Sequence, residues 1–137
     1  MLLTPNPGEY QALAGTPWPR SPGKRSIAAK SLARRYNASV IVKGAQDFIS
    51  DGTRSYIDNE GSPYMTKGGY GDLLAGAAGA LLARGQDPFE SATGAAYIVG
   101  RAGGMASERL GESMLASDVL QQLPAVVRLT RRGRRSH

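Results

Sequence analysis

The sequence contains no cysteine, and its one histidine, His137, is the last of 137 residues. Disulfides and thiolate metal sites are excluded, and a catalytic triad or histidine-based metal centre has nothing to build on. Long apolar runs are missing too. The longest weakly polar stretch, Leu73 to Ala83, is too short to span a bilayer, and no amino-terminal segment has the basic, apolar, small-residue order of a secretory signal. A cytoplasmic location without membrane contact is therefore expected. Acidic charge is scarce only at one end. The net charge is +6, but five of the 17 basic residues, Arg128, Arg131, Arg132, Arg134 and Arg135, fall within the last ten. Residues 1–127 carry 12 basic side chains against 11 acidic ones. That near balance argues against nucleic acid as the main partner. Residues 128–137 read as a basic tail that is disordered, contacts an acidic surface or aids solubility.

What remains is an ordinary soluble composition, 41% hydrophobic and 20% charged, long enough for one domain over residues 1–127. Met1 to Thr4 reads as a short buried strand stopped by Pro5, and Pro7-Gly8-Glu9 opens a brief helix through Leu13. Gly15 to Gly23, rich in proline, reads as a loop. Ile27, Ala28, Leu32 and Ala33 then recur at helical spacing. Ser39 to Lys43 is a β-branched strand, and Phe48-Ile49 and Tyr56-Ile57 flank the turn Asp51-Gly52 as a hairpin. Helices are expected over Leu73–Ala83, Phe89–Leu110 and, behind a Ser117 cap, Asp118–Leu123. Strand, helix, strand, hairpin and then helices give an α/β fold: a partial parallel sheet with a hairpin and flanking helices.

Among the 18 glycines, Gly68-Gly69-Tyr70-Gly71-Asp72 stands out because it leads directly into the Ala- and Gly-rich helix. Glycine amides at the positive end of a helix make an anion site, and glycine lets a phosphate approach the backbone. Two readings are open for Asp72: a carboxylate that complements the helix dipole, or one that accepts a proton from an attacking hydroxyl beside the anion. The following helix carries small residues on all faces, as expected of a central buried helix.

Lys43-Gly44-Ala45-Gln46-Asp47 follows the most apolar strand, at the carboxyl end where open α/β sheets bind ligands. Taken alone, the segment is better read as a plain hairpin connection with a solvated lysine. Lys67 is either a phosphate contact or a surface charge. Asn6 is bracketed by Pro5 and Pro7, which hold either a rigid turn or a polar group offered at a strand end.

Three segments in order resemble one family. Thr4 to Glu9 is similar to a TPHPGE turn, Val42 to Ala45 to a VLKGA strand end, and Ser62 to Leu74 to the signature N-x-G-M-A-x-G-G-x-G-D-V-L. Met114 to Asp118 resembles a later G-M-x-A-x-D segment. Together they resemble the ADP-dependent NAD(P)H-hydrate dehydratases. The resemblance implies a ribokinase-like fold and a repair reaction in which ADP or ATP phosphorylates the hydroxyl of hydrated NADH or NADPH and phosphate loss restores the cofactor.

On this resemblance Asp72 is the base and a substrate contact, Gly68, Gly69, Tyr70 and Gly71 supply the amides for the transferring phosphoryl group, and Lys43, Gly44, Ala45, Gln46 and Asp47 lie against the nucleotide. Asn6, where the family's turn has histidine, approaches the hydrate, and Mg2+ is the implied metal. Ser62 and Tyr64 replace the signature's Asn and Gly, and Lys67 stands where a small residue is common, so a narrower and more positive pocket is expected. The match covers what corresponds to the carboxyl-terminal half of the family's catalytic domain. It implies a homo-oligomer or a complementary chain supplying the amino-terminal half. A small-molecule kinase of the same superfamily and an inactive nucleotide-binding module are the alternatives.

Overall fold

The computed structural model describes residues 1–66 and 68–135. Its sheet is built around Val40, Ile41 and Val42, all fully buried. Strands β1 (Leu2–Leu3), β2 (Ser39–Val42), β3 (Asp47–Ser50) and β4 (Ser55–Asp58) lie in that order across the sheet. The β1–β2 pair is parallel, and β2–β3 and β3–β4 are antiparallel. Because side chains alternate along a strand, β2 and β3 divide their residues between two cores. Val40, Val42 and Phe48 join Tyr10, Leu32 and Ala33 on one side, whereas Ile41 and Ile49 join Leu74, Ala95 and Val119 on the other.

The first side is covered by α1 (Pro7–Ala14) and α2 (Pro22–Tyr36), the second by α3 (Tyr70–Ala83), α4 (Pro88–Leu110) and α5 (Ala116–Arg135). Each early helix starts where a cap and a proline coincide. Asn6 and Glu9 form a reciprocal capping box on α1, and Ser21 caps α2 directly ahead of Pro22. The arrangement is the expected α/β layering, a partly parallel sheet with a hairpin between flanking helices.

Three expectations are corrected. Helix α3 begins at Tyr70, and only Tyr70, Leu74 and Ala78 are buried along it. Spaced four apart, these residues form one stripe against α4, while Ala75, Gly76, Gly79 and Ala80 face outward. The helix is thus not central, and its small residues are not a sign of burial all round. Helix α5 does not stop at Leu123, nor does Ser117 cap it. The carboxylate of Asp118 accepts from the amide of Leu115 at 2.8 Å, and the helix runs through Pro124 to Arg135. A proline inside a helix forfeits one hydrogen bond, here to a carbonyl at Leu120, itself 54% exposed, so water can take the place of the missing donor. Buried Val119 and Val126, two turns apart, hold the helix on both sides of it. The arginines at 128, 131 and 132 therefore sit on a helix and not on an irregular tail.

The β3–β4 turn depends on Gly52. Its φ of 94° lies in the left-handed region, and an added Cβ would come within 2.8 Å of Cγ of Arg34. Arg34 Nε also donates to the Gly52 carbonyl at 2.7 Å, fastening the turn to α2. The substitution Gly52→Ala is expected to lower stability by about 1–3 kcal/mol in urea denaturation, from backbone strain and the displaced arginine stem.

Candidate active site

One cavity of about 350 Å³ opens where the carboxyl ends of β1 and β2 meet the start of α3 and the middle of α4. The Lys43 amide donates to the Pro5 carbonyl at 2.9 Å, so the end of β2 is tied to the β1–α1 turn and Asn6 is brought beside Lys43. Asn6 is committed at both ends of its cap: its side-chain oxygen accepts from Glu9 N–H, and its own amide donates to the Glu9 carboxylate, each at 2.8 Å.

Across the cavity lies the glycine loop. Gly69, with φ 96°, occupies the N-cap of α3, and a Cβ there would meet Ala116 at 3.0 Å. Glycine is required by both the backbone angle and the close approach to α5. The first amides of a helix have no partner within it, so the opening of α3 offers donors and the positive end of a dipole. Lys43 adds a full charge at that spot, because a Cβ built on Gly71 would lie 2.9 Å from its ammonium nitrogen. Two distant segments thereby converge on one corner with the charge and donors that suit an anion.

The cavity wall also carries acid. Asp47 and Asp58 are directly paired across β3 and β4, and both line the cavity. Burial is the main reason the Asp47 carboxyl is pushed up to about 6. The Gly44 amide hydrogen bond opposes the shift, the charge of Asp58 adds to it, and the charge of Lys43 opposes it. Asp58 is also pushed up to about 6, by burial and then by the charge of Glu60, against a hydrogen bond from the Glu60 amide. Met65, Leu74, Ala96, Val99 and Gly100 give the rest of the lining an apolar character.

The structure thus brings Asn6, Lys43, Gly44, Ala45, Asp47, Gly68, Gly69, Tyr70 and Gly71 around one cavity. Gln46 is directed elsewhere, donating to Asn59 at 2.6 Å. Asp72 is exposed in the first turn of α3 and does not line the cavity, lying one residue beyond Gly71, which does. The Tyr70 side chain is buried, with its hydroxyl donating to the Met114 carbonyl, which leaves its backbone as the part available to a ligand. Lys67 lies outside the described residues. Sequence reasoning missed Asp58 and Gly100. The signal for Asp58 was an acid at the end of β4, but only the hairpin register puts it opposite Asp47.

A mixed sheet with helices on both faces and a glycine loop at a helix start, facing a strand-end lysine, is a ribokinase-like fold. A ribokinase-like superfamily protein from Enterococcus faecalis superimposes with a TM-score of 0.70 at 23% identity, over 90% of this chain and 42% of that one. The particular family follows from the sequence match: residues 1–125 fit the NAD(P)H-hydrate dehydratase family model, and the chain belongs to that family. It is 41% identical over 127 residues to an ADP-dependent (S)-NAD(P)H-hydrate dehydratase of Cenarchaeum symbiosum, across 93% of this chain and 44% of that protein. The ADP/ATP-dependent NAD(P)H-hydrate dehydratase of Bacillus subtilis, co-crystallised with ATP and Mg2+, superimposes with a TM-score of 0.84 at 28% identity, over 93% of this chain and 47% of that one. This chain spans less than half the length of these relatives. Among the described residues, no helix is long and apolar enough to cross a membrane.

Proposed function

We propose that the protein acts in nucleotide-driven repair of hydrated NADH and NADPH. The observation that carries this reading is the meeting of Lys43 with the glycine loop at one cavity, in a chain similar to ADP-dependent dehydratases. The hydroxyl of the hydrate attacks the terminal phosphorus of ADP or ATP, Asp72 takes its proton, and AMP or ADP departs as the old P–O bond breaks. Loss of phosphate, together with a proton from the neighbouring ring carbon, then forms the double bond that restores the cofactor. The amides of Gly68 to Gly71 and the Lys43 ammonium hold charge on the phosphoryl oxygens, where most of the catalytic benefit in such transfers arises. Ala45 and Asp47 border the nucleotide, and Asn6 faces the hydrate.

Among the described residues no three carboxylates converge as a metal cage. This fits Mg2+ carried by the nucleotide, since that ion keeps several waters and takes one or two carboxylates besides phosphate. Asp47, beside Lys43 on the cavity wall, is the carboxylate suited to its water shell. Bound there, the ion would neutralise phosphate charge.

The same reading includes an assembly, either a second copy or a complementary chain. Its support is the edge position of β1 and the outward face of Ala75, Gly76, Gly79 and Ala80 on α3.

The deciding experiment supplies hydrated NADH, ADP and Mg2+ to the chain and follows dihydronicotinamide absorbance, AMP and phosphate together. The expected result is the return of absorbance with one AMP and one phosphate per NADH. A phosphorylated hydrate that accumulates without absorbance would indicate a kinase, and a chain that binds neither ADP nor ATP would end this reading.

A further inference from the structure

Tyr70 is the first residue of α3 and borders the cavity, yet its side chain is buried in the core that also holds Leu74, Met114 and Val119. Its hydroxyl donates to the Met114 carbonyl at 3.3 Å, directly ahead of α5. Burial, and then the charge of Asp118, push that hydroxyl above its ordinary pKa, so it stays a donor. One residue earlier, a Cβ built on Gly69 would meet Ala116, the first residue of α5, at 3.0 Å. The glycine loop therefore meets the start of α5 at two consecutive positions. That start is itself pinned. The Met114 amide donates to the Gly111 carbonyl at 3.2 Å, and the Leu115 amide to the Asp118 carboxylate at 2.8 Å.

Amides stabilise a phosphoryl group only where they are held in advance, and a displacement of about 1 Å can cost roughly a hundredfold. Gly68, Gly69 and Gly71 have no side chain with which to anchor themselves, so among these four consecutive residues Tyr70 alone can do it. An aliphatic residue would fill the same core, but tyrosine adds a directional tie at the far end of its ring. We propose that Tyr70 is a positioning residue of the phosphoryl site, its hydroxyl fastening the amides of Gly69 to Gly71 to the start of α5. The hydroxyl touches no ligand and acts through the backbone that carries it. This rests on the nucleotide reading given above and adds to it the side chain that holds the glycine loop facing Lys43.

The terminal phosphate of ADP, absent from AMP, is the group the loop receives, so the preference for ADP over AMP reports the placement of its amides. Hydrogen bonds to a charged oxygen make that preference about tenfold or more in the wild type. The variant Tyr70→Phe keeps the ring in the core and removes the tie, and should shrink the preference by about threefold to tenfold. Tyr36→Phe is the control. It removes a hydroxyl bond of the same kind, to the Leu13 carbonyl at 2.9 Å, among the residues on the other side of the sheet, and should keep the preference within about twofold of wild type. Calorimetric titration of ADP and AMP, each with Mg2+, into the full chain and both variants reads a ratio within each protein, which a general loss of folded material does not alter. A preference that Tyr70→Phe leaves unchanged, or that Tyr36→Phe shrinks as much, would overturn the role of Tyr70 and leave the nucleotide reading intact. Binding of neither nucleotide by the wild type would overturn both.

Discussion

Replacement of Asp72 by asparagine should reduce repair turnover by about 10²- to 10⁴-fold, the range expected when a positioned general base is lost, with ADP affinity kept within a few-fold. The side chain is exposed and does not line the cavity, so the substitution removes no wall and buries no polar group. Its structural cost is limited to one favourable charge in the first turn of α3, about 0.3–1 kcal/mol at an exposed site. Asparagine matches aspartate in shape and differs in being unable to accept the hydroxyl proton. A fall in turnover with little change in ADP binding separates a base from a residue that merely complements the dipole. Turnover within a few-fold of wild type would remove Asp72 from the chemistry and leave it the helix-dipole role.

The second large effect concerns stability and acidity. Asp47 and Asp58 both have folded-state values near 6, above the ordinary 3.8, so between those limits the folded chain holds more protons than the unfolded one. Stability therefore falls as pH rises from about 4 through 6, opposite to the usual behaviour of ion-paired carboxylates. From the size of the shifts, Asp58 and the partly buried Asp47 each account for about 3 kcal/mol at most between the ends of that window, less where solvent reaches them. Asp51 works outside this window. Burial acts upward on it but is outweighed by hydrogen bonds from the Arg54 and Thr53 amides and by the Arg54 guanidinium, which hold it to about 2. Denaturant melts from pH 4.5 to 7.5 should show the decline, and Asp58→Asn should flatten it while raising stability at the alkaline end. A wild-type profile that rises with pH across that window would contradict the buried, poorly compensated state of these two side chains.

The order of elements was legible because its signals were local. Val40-Ile41-Val42 could only be a buried strand, Asp51-Gly52 marked a hairpin and Pro7 a helix start, whereas the start of α2 at Pro22 lay inside the stretch from Gly15 to Gly23 read as a loop. The approach of Lys43 to the glycine loop was readable only as a strand end and a helix start, and the structure supplies their meeting at Gly71. Features that depend on partners distant in sequence were not legible. Asp58 gains its position from the register with Asp47, and Gly100 from the approach of Glu60. The length of α5 was hidden by two misleading local signals, a proline and a run of arginines. Arginine is nevertheless a good helix former, and cations near a carboxyl-terminal end are favoured by the dipole. The outward half of α3 was read as buried because alanine and glycine report small volume rather than environment.

Met65 lies against Gly103 so closely that a Cβ there would overlap its sulfur. The methionine belongs to the short turn, Pro63–Thr66, that leads into the glycine loop, and its socket belongs to α4. The segment that leads into the glycine loop is therefore held from outside itself: any side chain at position 103 would push the Pro63–Thr66 turn off α4, so the geometry of the loop depends on a helix that contributes no glycine to it.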